Sequence, residues 1–114
     1  MNLKLIFNGW LMCGEKEHSI KIIFVVENDE YYVKKDLEMP CIVSLDELKK
    51  SYSGCKARVY QIVETKDKQE LEFDEAFCKE QLGLVFGKPI NAYQNAKCEK
   101  TSLFEECKQY LQKR

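Results

Sequence analysis

The chain has 114 residues, the usual size of one domain, and 45% of them are hydrophobic, enough for a single core without staples. Eighteen basic side chains against nineteen acidic ones leave a net charge of −1. No whole-molecule field therefore favours DNA, RNA or an anionic membrane, and general nucleic-acid binding is not expected.

The first segment, Asn2 to Met12, alternates Leu3, Leu5 and Phe7 against Lys4, Ile6 and Asn8, the period of a strand, and Asn8 and Gly9 interrupt the apolar run that a secretion signal would need. Leu11-Met12-Cys13-Gly14 resembles a lipoprotein cleavage site, but Met12 suits cleavage poorly, so the segment reads as a strand and not as a signal. No run reaches the roughly 18 apolar residues a membrane span needs. A cytoplasmic location is expected, and with it reduced thiols. Ser19 to Glu27 is dense in β-branched residues on both faces and should be the central strand; Tyr31 to Lys34 should be a third, antiparallel to it.

Ser44-Leu45-Asp46-Glu47 matches a capping box and starts a helix to about Tyr52, ended by Ser53-Gly54. Lys56 to Thr65 reads as a strand and forms a hairpin with Leu71 and Phe73. Asp74 caps a helix to about Leu84, and Gly87-Lys88-Pro89 stops the chain there. Residues 88–100 carry little pattern. Thr101 or Ser102 then opens a last helix, with Ser102 and Glu105 as a second capping box and Leu103, Phe104, Cys107 and Leu111 as its apolar stripe. The expectation is one α+β domain over residues 1–114: a four- or five-stranded, mostly antiparallel sheet with one face covered by short helices starting near 44, 74 and 101.

The residues able to do chemistry are scattered. Cys13, Cys41, Cys55, Cys78, Cys98 and Cys107 are all at least nine positions apart, unlike the close pairs of structural zinc sites, so no metal is expected and the thiols should be packed and inert. His18 is the one imidazole, and Glu17-His18-Ser19 reads as solvated polar surface. Without a nucleophile and base in a known pattern, no enzyme and no cofactor are expected.

Two binding surfaces emerge instead. Between Glu64 and Glu80, seven acidic side chains face Lys66, Lys68 and Lys79, a local charge of −4. Glu70, Glu72, Asp74 and Glu75 would form an anionic ridge able to steer onto a basic partner protein. The leading expectation is a stoichiometric binder of the inhibitor, immunity or anti-defence type. Lysine far in excess of arginine in a short chain suits a bacterial or phage source. The alternative is a protein that sequesters a nucleotide or similar anion: Arg58, the one internal arginine, would take the phosphate, Phe86 or Tyr93 would stack on the base, and Asn91 would read its edge. A homo-oligomer is compatible with the same composition.

Overall fold

In a computed structural model, the chain is described over residues 2–59, 74–87 and 96–114, with side chains of the last helix described from Leu103 onward. The elements run β1 (Leu3–Cys13), β2 (Lys16–Val25), β3 (Glu30–Lys35), β4 (Cys41–Val43), α1 (Leu45–Tyr52), β5 (Lys56–Val59), α2 (Glu75–Glu80), β6 (Val85–Phe86) and α3 (Ala96–Gln112). The α+β expectation holds, with a sheet that has six strands among the described residues, in the order β4-β3-β2-β1-β5-β6; the expected hairpin partner at Leu71 and Phe73 lies outside those residues. All neighbours are antiparallel except β5 and β6, which are parallel. The two additional strands, β4 and β6, are three and two residues long and form the outer edges of the sheet among the described residues. Such lengths are too short to show a period in the sequence.

β1 and β2 form a long hairpin at the centre, closed at Cys13↔Lys16 over Gly14, whose φ of 79° suits a residue without Cβ. The expectation that Leu3, Leu5 and Phe7 share a face fails at one residue. The register passes from Leu5↔Ile23 to Phe7↔Ile22, a bulge that inserts Ile6. Leu3 and Leu5 therefore pack with Ile23, Val25 and Tyr32 on one face, while Ile6, Phe7 and Leu11 pack with Ile20, Ile22, Tyr31 and Val33 on the other.

The helices divide between these faces. α1, through Leu48, and α2, through Cys78, cover the face that carries Phe7 and Leu11. α3 covers the opposite face with Leu103, Phe104 and Cys107, instead of joining the other two. Ser44 caps α1 as expected, its hydroxyl accepting from the Glu47 N–H. Asp74 caps α2 by accepting from the Phe77 N–H at 2.9 Å, but this helix ends at Glu80 rather than near Leu84. α3 begins at Ala96, ahead of the expected Thr101 or Ser102. Ala96, Lys97, Glu99 and Lys100 are good helix formers, so the helix extends back and Ser102 lies inside it.

α3 is held to the sheet by polar clips as well as by its stripe. The Tyr32 hydroxyl donates to Glu106 at 3.0 Å, Lys21 reaches the other Glu106 oxygen at 3.4 Å, and Arg114 pairs with Glu30 at 3.1 Å. Burial, and then the Glu106 charge, raise the Tyr32 phenol well above its ordinary value, which keeps it a donor. No helix among the described residues is long and apolar enough to cross a membrane.

Candidate functional site

Because α3 docks over β2, β3 and the start of β1, the far half of the same face carries a groove of about 360 Å³ above β1, β5 and β6. Its lining follows from strand register. Val85 of β6 pairs with Lys56 of β5, Lys56 with Met12 of β1, and Met12 with Glu17 of β2, so these four stand in one row across the sheet. Trp10, paired with Arg58, forms the next row. Alternation places all six opposite Leu11 and Ala57, which are buried on the α1/α2 side. Ala57, Phe86 and Gly87 complete the floor.

The groove is apolar with charged walls. Met12 and Val85 are 39% and 56% exposed, high values for such side chains within strands. Arg58 reaches across β1 to form an ion pair with Glu17, and its guanidinium lies 5.9 Å from the centre of the Trp10 ring. Arg58 is thereby neutralised and oriented. Lys56 has no ion-pair partner among the described residues and stands as the uncommitted cation of the groove.

Gly9 explains how closely β1 and β5 approach. A Cβ there would lie 2.1 Å from the Arg58 carbonyl oxygen, so only glycine allows the Gly9↔Val59 pairing. Beyond Met12↔Lys56 the ladder is closed by a disulfide between Cys13 and Cys55, with Cα atoms 4.9 Å apart. The expectation of six free thiols is thus corrected for this pair: strand register brings together two cysteines separated by 42 positions. Cys78 and Cys107 are free and buried, and burial pushes both thiols up to about 12, far from thiolate chemistry at neutral pH. Cys41 is free and exposed.

The sequence-based ligand site is partly assembled. Arg58 and Phe86 do meet at the groove, but the Phe86 ring packs toward Phe7 at 6.3 Å and beneath Lys79, on the α2 side, so the aromatic wall of the groove is Trp10. Asn91 and Tyr93 lie outside the described residues. Trp10, Met12, Glu17, Lys56 and Val85 were not anticipated; the bulge at Ile6 hides from the sequence which face Trp10 and Met12 take.

Of the acidic ridge, Glu70 and Glu72 also lie outside the described residues. Asp74 is occupied by the fold, capping α2 and pairing with Lys4. Burial opposes its ionisation, but Lys4 and the Phe77 N–H outweigh that and hold the carboxyl below its ordinary value. Glu75 is exposed and pairs with Lys79 one turn on. His18, expected as solvated surface, hydrogen-bonds Asp36 at 2.8 Å, while Asp36 also accepts from the Ser19 N–H. No group of three or more His, Cys, Asp or Glu converges as a metal site among the described residues. Comparison with known proteins finds no family model, no curated protein and no solved structure that matches this chain.

Proposed function

We propose that this chain is a non-enzymatic binding protein whose groove takes a small ligand with a planar apolar body and a negative charge, a nucleotide-like anion being the type. The observation that carries this reading is the row of Val85, Lys56 and Met12 beside Trp10, which puts an uncommitted ammonium against an apolar and aromatic wall. A volume of about 360 Å³ lies at the lower end of small-molecule sites. Lys56 would hold the anion, Trp10 would stack on the ring, and the Arg58–Glu17 pair would form a fixed side wall.

The acidic-ridge reading has less support, because both of its described members, Asp74 and Glu75, are already paired with lysines of this chain. It places a basic partner protein, in an inhibitor or anti-defence role, at a surface that includes Glu75.

Trp10 is the chain's one tryptophan, so its emission reports directly on the groove. Titration with a panel of linear and cyclic nucleotides should change that emission and raise the thermal midpoint for at least one member. Lys56→Gln should weaken that binding by about tenfold or more, as loss of a charge-assisted contact does. If no member of the panel acts at about 1 mM, where a ligand of roughly 10 μM affinity would stabilise by about 2.7 kcal/mol, the nucleotide reading fails and the acidic-surface reading becomes the better one.

A further inference from the structure

The disulfide stands at the end of the ladder that builds the groove. Cys13 follows Met12 and Cys55 precedes Lys56, so each half-cystine is adjacent in the chain to a residue of the groove row. β5 is joined to β1 by four residue pairs, from Gly9↔Val59 to Met12↔Lys56, with the disulfide next beyond. β6 in turn hangs from β5: the Val85 N–H donates to the Cys55 carbonyl at 3.0 Å and the Gly87 N–H to the Ala57 carbonyl at 3.0 Å. Whatever moves Cys55 therefore moves Lys56 and Val85 together. Cys55 is nearly buried within the α1/α2 cluster, whereas Cys13 is only half-buried.

We propose that Cys13–Cys55 is a thiol–disulfide exchange site whose oxidation state sets whether the groove is formed; this rests on the reading of the groove as the binding site. A small or protein dithiol is the reductant. Its thiolate attacks the more accessible Cys13 sulfur, the sulfur–sulfur bond breaks, and Cys55 leaves as a thiolate that takes up a proton. The second thiol of the reductant then attacks its own sulfur of the mixed disulfide and releases Cys13 as a thiol. The protein disulfide gains two electrons and two protons, and the dithiol becomes a disulfide. Two thiols stand farther apart than one bridge, and because Cys55 is buried in the packed cluster, the end of β5 shifts away from β1 as they part. The shift separates Lys56 and Val85 from Met12 and Trp10, so the reduced protein loses its groove while the β1–β2–β3 core and its helices persist. In a reducing compartment such a bond acts as a sensor, and in an oxidising one it keeps the groove permanently formed.

The test uses the full chain with anilinonaphthalene sulfonate, an aromatic anion, as probe, read by probe fluorescence and by Trp10 emission. Oxidised protein should bind the probe in a Lys56-dependent way. If reduction by dithiothreitol leaves the groove formed about one tenth of the time, apparent affinity falls about tenfold. Reoxidation should restore it, and Cys13→Ala/Cys55→Ala should behave as the reduced protein with or without reductant. Lys56-dependent binding that is equal in both redox states overturns the switch and leaves the groove standing. Binding that is indifferent to Lys56→Gln in the oxidised protein overturns the groove reading itself. Far-UV circular dichroism is recorded throughout: collapse of the signal on reduction, or a rise in probe binding, overturns the local change proposed here.

Discussion

Gly9 gives the sharpest quantitative test of how the groove is built. In Gly9→Ala the new Cβ would lie 2.1 Å from the Arg58 oxygen, 2.8 Å from the Val59 Cα and 3.0 Å from the Arg58 carbonyl carbon. All three are backbone atoms, so no rotamer change relieves the overlap. Close carbon–oxygen contacts between strands stand at about 3.3 Å, so β1 and β5 would have to part by roughly 1 Å at that point. Overpacking of this kind costs about 1–3 kcal/mol, and more where the backbone itself must move. The entropy gained by removing a glycine from the unfolded chain returns about 0.4–1 kcal/mol. The net expectation is a loss of about 2 kcal/mol, which for a domain of this size lowers the thermal midpoint by roughly 8 °C.

Gly87 supplies the control. Among the described residues a Cβ there meets only the Ala57 oxygen, at 4.0 Å, so Gly87→Ala should be neutral or stabilising by up to about 1 kcal/mol. Urea denaturation of both variants, checked by calorimetry, measures the difference. A Gly9→Ala protein within about 0.5 kcal/mol of the parent would refute the close approach of β5 to β1, since that is the usual range for a surface change. An equal loss in both variants would refute it too.

Three further outcomes follow from the packing. Alkylation of denatured, unreduced protein should modify Cys41, Cys78 and Cys107 while Cys13 and Cys55 appear as one linked peptide pair; closing a loop over 42 positions should make the bonded form more stable by about 4 kcal/mol in denaturant. Asp74→Ala should lose about 1–2 kcal/mol at neutral pH through its cap and its lysine partner. Because the folded carboxyl is held below its ordinary value, this contribution is complete above about pH 4 and is lost as pH falls through the folded pKa, so the variant and its parent should converge in acid melts. Glu106→Ala should cost about 1–3 kcal/mol in urea by leaving the buried Tyr32 hydroxyl without its acceptor, and Glu106→Gln, which keeps an acceptor oxygen, should cost less.

Local signals made much of the fold legible. The strand periods at β1, β2 and β3, the Ser44 and Asp74 caps and the apolar stripe of α3 are written in neighbouring residues, because side-chain alternation, capping and helical periodicity act over a few positions. For the same reason the order of these elements along the chain was enough to set the α+β class. Arg58 and Phe86 were singled out for their chemical types alone, and only one of the two presents the group expected of it to the groove wall.

What tertiary structure alone decided are the relations between distant strands. The bulge at Ile6, which exists only where β2 is present to pair with, puts Trp10 and Met12 on the face of Leu3 and Leu5 and moves Phe7 and Leu11 to the other, since register belongs to two strands and not to one. The edge strands β4 and β6 exist because β3 and β5 offer them free backbone groups, whatever their own propensities. The meeting of Cys13 with Cys55, and of Lys56 with Met12 and Val85, has the same cause: an antiparallel ladder anchored at Gly9 carries each later pair into place, and no local pattern in the chain specifies that pairing.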